Sequence, residues 1–311
     1  MNNIGFITNC LTTSFEAKIG LASKLGFSTL EVACWPRGNR KPCDIDADNF
    51  DSNQVKQIKA LLKKKRVTIS CLAYYENILS HNLSLRTKYI NHLGNVIRLA
   101  HALNVRYVGT YFGKDFSSSL SENFSLVNEV FEPILEYAET LNVSILIENC
   151  PMPTWSEEGF PCTISYSPEL LHKLFSIFPN ENLGLNFDPS HLYWQKIDYL
   201  EAAKDLAPHI KSVHVKDITT VHNRLNQFGI YGKETNKKNP YDYGYYEATV
   251  PGYGDIQWLN LLKVLNRNGF HGPLQVEYKN GNGFGKLDSV ERGLQLSYQY
   301  LRMIQDLEVE Q

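Results

Sequence analysis

The sequence predicts an α/β fold: one closed (β/α)8 barrel, with residues 1–311 as a single domain and a long active-site loop at about 218–255. Eight short runs rich in Val, Ile and Leu recur along the chain, and each leads into a helical-looking segment. Crossover-length segments separate the runs, as expected of parallel strands covered on both faces. No G-x-G-x-x-G follows the first run, so the dinucleotide signature of the competing doubly wound open sheet is missing.

Taken in order, IGFIT (4–8) precedes the amphipathic SFEAKIGLASKLG (14–26), and STLEVAC (28–34) precedes FDSNQVKQIKALLKKK (50–65). VTISCLAYY (67–75) is followed by a helix over 84–104, whose apolar residues recur at helical spacing. VRYVGTYF (105–112) leads to a helix near 124–141, and VSILIENC (143–150) to one over 167–178, with Ser167 as N-cap and Pro168 at N1. NLGLNFD (182–188) precedes a helix near 198–206. HIKSVHVKD (209–217) is followed by a loop without a clear helix and then by a helix over 256–269; GPLQVEYK (272–279) leads to the last helix, near 287–306.

Composition narrows the function classes. With 43% hydrophobic and 21% charged residues the chain has the profile of an ordinary soluble globular protein. Thirty-one basic against 33 acidic residues leave a net charge of −2, which gives no electrostatic argument for a nucleic acid partner. No 18-residue apolar stretch predicts a membrane span, and the N-terminus MNNIGFITNC lacks the pattern of a signal peptide. The six cysteines include no C-x-x-C and read as reduced, packed thiols. The expected compartment is the cytoplasm.

In a barrel of this kind chemistry sits at the C-terminal ends of the strands. Strand 5 ends in Glu148, strand 6 in Asp188 with His191 just beyond, strand 7 carries His214, Lys216 and Asp217, strand 8 ends in Glu277, and strand 2 offers Glu31. Any one of these, taken singly, reads as a solvated or loop-pairing residue, and His214 alone as a satisfied core histidine. Together, four consecutive strands place Glu148, Asp188, His214 and Glu277 at equivalent depth, and neighbouring strands lie roughly 5 Å apart. Several charges buried together without a cation are costly. Three carboxylates and one imidazole form an oxygen-rich set that suits one divalent metal ion, Mn²⁺, Mg²⁺ or Co²⁺ and less exclusively Zn²⁺. Trp35 and CLAYYEN (71–77) lie at other strand ends, as walls for a sugar face or as rim packing.

LIENC, FDPSH, HVKD, VPGYGDIQW and GFHGPLQVEY, in that order, resemble the sugar phosphate isomerase/epimerase family with the xylose isomerase-like TIM barrel. The D-tagatose/psicose 3-epimerases and inosose dehydratases are relatives within it. The resemblance runs over nearly the whole chain and is most specific from about Leu146 to Glu277. It implies that Glu148, Asp188, His214 and Glu277 hold the metal, manganese first, and that Glu148 and Glu277 double as the catalytic acid/base pair. It also implies that His191 contacts the substrate, a small-molecule sugar or keto-sugar. Two carboxylates on opposite faces could remove a proton beside a carbonyl, through an enediolate, and return it: epimerisation, or isomerisation if the proton moves between carbons.

The 3-epimerases carry an arginine soon after the strand-7 histidine; HVKDITTVHNR instead offers Lys216, a form more like the dehydratase-like members. Lys216 is read either as reaching a substrate hydroxyl or as pairing with Asp217. Glu31 and Trp35 complete the candidate substrate contacts, with His222 or Arg224 as further inward-pointing groups. The Tyr-rich NPYDYGYYEATVPGYGD is read as a pocket wall or as a contact between copies in a homo-oligomer, and KNGNGFGK (279–286) as a loop.

Three other functions compete. A keto-sugar or inosose dehydratase (a lyase) would use the same site. An endonuclease IV-type AP endonuclease would need histidines ending strands 3 and 4, which read SCLAYY and YVGTYFG. A non-catalytic sugar-binding barrel would have no need of two opposed carboxylates at a metal.

Overall fold

In the computed structural model, which describes residues 1–38, 41–152, 155, 161–230, 244–278 and 287–309, the chain forms a closed parallel barrel. The strands are β1 (Ile4–Ile7), β2 (Thr29–Ala33), β3 (Thr68–Asn77), β4 (Tyr107–Tyr111), β5 (Ser144–Glu148), β6 (Leu183–Phe187), β7 (Ile210–Val215), β8 (Asp217–Thr220), β9 (Tyr246–Thr249) and β10 (Leu274–Val276). The barrel runs β1-β10-β7-β6-β5-β4-β3-β2, while β8 and β9 form a separate antiparallel ribbon. The helices are α1 (Phe15–Leu25), α2 (Ser52–Lys65), α3 (Leu83–Leu103), α4 (Leu120–Thr140), α5 (Pro168–Ile177), α6 (Pro189–Trp194), α7 (Tyr199–Asp205), α8 (His222–Phe228), α9 (Trp258–Arg267) and α10 (Leu287–Val309).

Local chemistry fixes several of these boundaries. Ser14 caps α1 through the Ala17 N–H, and Gly26 closes it in the left-handed region at φ 93°. Asp51 with Gln54 and Ser119 with Glu122 form capping boxes that open α2 and α4. Ser167 is the N-cap of α5 and Pro168 its N1 residue, as the sequence indicates, but the serine side chain makes no capping bond. Strands β2, β5 and β6 are buried throughout, which is why they read as unbroken apolar runs.

One expectation needs correcting. The segment 218–255 is not without structure: β8 and β9 pair from Asp217↔Thr249 to Thr220↔Tyr246, and α8 lies in the connection. His222 is exposed, and Arg224 of α8 pairs with Glu247 of β9 at 3.2 Å. Residues 231–243, which include the first five of the Tyr-rich stretch (239–255), and 279–286 lie outside the described residues.

Register positions the site. Glu148 pairs with Asn186, Asn186 with Ser212, and His214 with Gln275. Asp188, His214 and Glu277 thus stand two residues further up their strands than Asn186, Ser212 and Gln275. Barrel strands are tilted and staggered by roughly one residue per strand, so this climb brings the four side chains to one level.

Candidate active site and metal centre

Glu148 ends β5, Asp188 follows β6 as the N-cap of α6, His214 sits near the end of β7, and Glu277 follows β10. These are four consecutive strands of the barrel. Each residue offers one donor atom, the four donor atoms lie within 4.8 Å of one another, and all four residues are buried. Asp188 is held in place locally, with its side chain accepting the Ser190 N–H at 2.8 Å and its backbone bonded on both sides by Asn149. Pro189, as N1 of α6, turns the chain so that His191 comes back toward the same cavity.

Two cationic groups face these carboxylates. His214 places Nδ1 2.8 Å from Glu148 Oε1 and Nε2 3.0 Å from Glu31 Oε2. Burial opposes its positive charge, but Glu31 and Glu148 outweigh burial and hold the imidazole well above its usual range. Burial likewise works against ionised Glu148, and His214 overcomes it and holds that carboxyl low. Lys216 Nζ lies 2.8 Å from Asp188 Oδ2, 2.9 Å from Glu277 Oε2 and 2.8 Å from His191 Nε2. Burial disfavours its charge too, yet Asp188 and Glu277 keep the ammonium pKa well above normal.

The remaining sequence-derived residues fall differently. Glu31 is fully buried in β2, with its oxygens on His214 and on the Tyr75 hydroxyl at 2.8 Å. Trp35 is also buried, donates its indole N–H to Glu76 at 3.1 Å, and lies 6.3 Å from the Tyr75 ring. Lys216 does not pair with Asp217. Asp217 instead accepts the N–H groups of Gly252, Gly254 and Ile256 and the indole of Trp258. Sequence reasoning missed Asn186, whose side-chain nitrogen lies 2.6 Å from His214 Nε2 and 2.8 Å from the Tyr75 hydroxyl. It placed Tyr75 as an apolar wall and Tyr111 not at all; their rings lie 4.9 Å apart, and burial, with Cys150 and Glu148 close by, pushes the Tyr111 hydroxyl well above its usual range. The available signal was strand period: Asn186 is two residues before Asp188 and shares its face.

The donor set fits a divalent cation. Glu31, Glu148, Asp188 and Glu277 are four buried carboxylates beside the single ammonium of Lys216. A metal ion would take the place of the proton that His214 otherwise carries, since a ligating imidazole is neutral; a dication there offsets most of the excess negative charge, and oxygen donors with one imidazole match a hard or borderline ion. Glu148, Cys150 and His191 form a second, overlapping group with a softer donor.

The sequence profile of the xylose isomerase-like TIM barrel family matches residues 19–302. The chain belongs to that family. It is 24% identical over 293 residues to the uncharacterized protein YfiH of Bacillus subtilis, covering 88% of this chain and 91% of that protein. Over 116 residues it is 30% identical to an inosose dehydratase of Clostridium perfringens, covering 37% of each chain. D-psicose 3-epimerase of Clostridium cellulolyticum, solved with D-tagatose, superposes with a TM-score of 0.71 at 14% identity, covering 97% of this chain and 99% of that one; at that identity the likeness is one of fold.

Proposed function

We propose that this chain is a divalent-metal-dependent isomerase or epimerase that moves a proton at a carbon beside the carbonyl of a sugar. The observation that carries the reading is the convergence of Glu148, Asp188, His214 and Glu277, four buried donors from consecutive strands. These four would hold the ion, with manganese the preferred metal for an oxygen-rich set. A bound dication would supply Lewis acidity, polarising a carbonyl and its neighbouring hydroxyl so that the adjacent C–H is acidified. Glu148 ends β5 and Glu277 follows β10, strands separated by β6 and β7, so the two would reach a substrate from different sides. One would take the proton and the other return it, each as a carboxylate within hydrogen-bond reach of the carbon acid. His191 and Lys216, bonded to each other beside both carboxylates, would orient substrate hydroxyls. Glu31 and Trp35, assigned from sequence to the substrate, would act here through His214 and Tyr75. The substrate would be a small molecule, met in the cytoplasm.

A second reading keeps the site and changes the outcome to loss of a β-hydroxyl. The segment shared with an inosose dehydratase favours it, as does Lys216 standing where a proton could be delivered to a leaving hydroxyl. Incubating the metal-loaded chain with a panel of ketoses and inososes in deuterated water separates the two. Deuterium retained in an isomer or epimer supports the first reading, and a product lighter by one water supports the second. Glu277→Gln is expected to lower exchange by about 10²–10⁴-fold with the fold intact by circular dichroism. Undiminished exchange would remove Glu277 from the acid/base pair.

A further inference from the structure

Outside the metal centre, the connection from β2 to α2 brings two thiols together. Cys34 follows β2 and forms an isolated antiparallel bridge with Cys43. The hydrogen bonds of that bridge run from the Trp35 N–H to the Pro42 carbonyl at 3.3 Å and from the Asp44 N–H to the Ala33 carbonyl at 2.8 Å. They flank Cys34 and Cys43 instead of joining them, so the two cysteines form a non-hydrogen-bonded antiparallel pair. In such a pair the Cα atoms are about 4.5 Å apart and both side chains leave the same face. That spacing falls inside the roughly 4.4–6.8 Å that a disulfide spans.

From this geometry we infer that Cys34 and Cys43 are a reversible dithiol site, able to close a cross-strand disulfide that ties the β2–α2 connection to the end of β2. Both cysteines are free in the structure, Cys34 fully buried and Cys43 partly accessible. Burial pushes both thiols up, Cys34 the further, so Cys43 is the group that meets an oxidant first. With a small-molecule disulfide as oxidant, the Cys43 thiolate attacks one sulfur and releases one thiol. The Cys34 thiol then loses its proton, attacks the Cys43 sulfur and releases the second thiol. The two cysteines give up two protons and two electrons, and the oxidant is reduced to two thiols. The bond would hold Trp35 and Lys41, both of which bond Glu76 at the end of β3. This inference is independent of the metal centre.

The test exposes the folded full-length chain to glutathione disulfide, then alkylates it after denaturation and digests it for mass spectrometry. Of the six cysteines, four are expected to take the alkylating group, and a peptide linking Cys34 to Cys43 is expected that reverts on reduction. Cys34→Ser should leave Cys43 carrying a glutathione adduct, whereas Cys43→Ser should leave Cys34 unmodified. Six alkylated cysteines in the treated wild type would overturn the inference. A glutathione adduct on wild-type Cys43 beside a free Cys34 would do so too, as would a linkage to any other cysteine.

Discussion

His214 shows how single side chains set this cavity's electrostatics: it is almost wholly buried, yet two glutamates and not water decide its charge. Lys216 is the complementary case, an ammonium seated between Asp188 and Glu277, two of the proposed ligands. A cation in that place competes with a metal ion for the same oxygens. Lys216→Met should therefore bind Mn²⁺ more tightly, on the order of tenfold or about 1.4 kcal/mol, while losing turnover. Isothermal titration would measure this, and weaker binding in the variant would contradict the competition. A control residue lies away from the site. Burial, with the Phe175 ring stacked on it at 3.7 Å, and then the charges of Lys211 and His172, lower the His209 pKa below 6.5. The unfolded chain then binds the extra proton more readily, so this contribution to stability is present above the unfolded pKa and is lost as pH falls through the folded value. An NMR titration placing His209 at or above 6.5 would contradict that.

Among elements, the β8–β9 ribbon and the loop after it depend on one carboxylate. Asp217 gathers the backbone of Gly252, Gly254 and Ile256 together with the Trp258 indole, fastening the loop to the start of α9. A Cβ on Gly254 would fall 2.2 Å from Asp217 Oδ1 and 2.6 Å from the Ile218 carbonyl. Gly254→Ala should cost about 1–3 kcal/mol, read as a lower denaturant midpoint, and an unchanged midpoint would refute the close approach. Gly109 plays the matching part in β4, where a Cβ would lie 2.4 Å from the Tyr75 hydroxyl that serves Glu31. The barrel strands were legible in the sequence because parallel strands buried on both faces read as apolar runs with a charged residue where they meet the cavity. The ribbon was not, since pairing Asp217 with Thr249 leaves no local signature over so long a separation. Asn186 escaped notice, and Tyr75 was read only as a wall, because an amide and a phenol carry no charge to mark them. The partner of Lys216 was undecidable from its neighbour Asp217, because adjacent strand residues point to opposite faces.

At the scale of the whole molecule, closure of the barrel and its stagger bring to one level residues that the chain separates by as many as 129 positions, from Glu148 to Glu277. Family membership accounts for the architecture, and the buried donor cluster is the observation on which the proposed metal-assisted carbon-acid chemistry rests. Both readings of the reaction, proton return or loss of a hydroxyl, require that cluster to hold an ion. The decisive measurement is metal stoichiometry by elemental mass spectrometry, on wild type and on Asp188→Ala after reconstitution with Mn²⁺ and removal of free metal. The account predicts about one ion per wild-type chain and its loss in the variant. A wild-type chain that takes up no Mn²⁺, Mg²⁺, Co²⁺ or Zn²⁺, or a variant that keeps its ion, would contradict it.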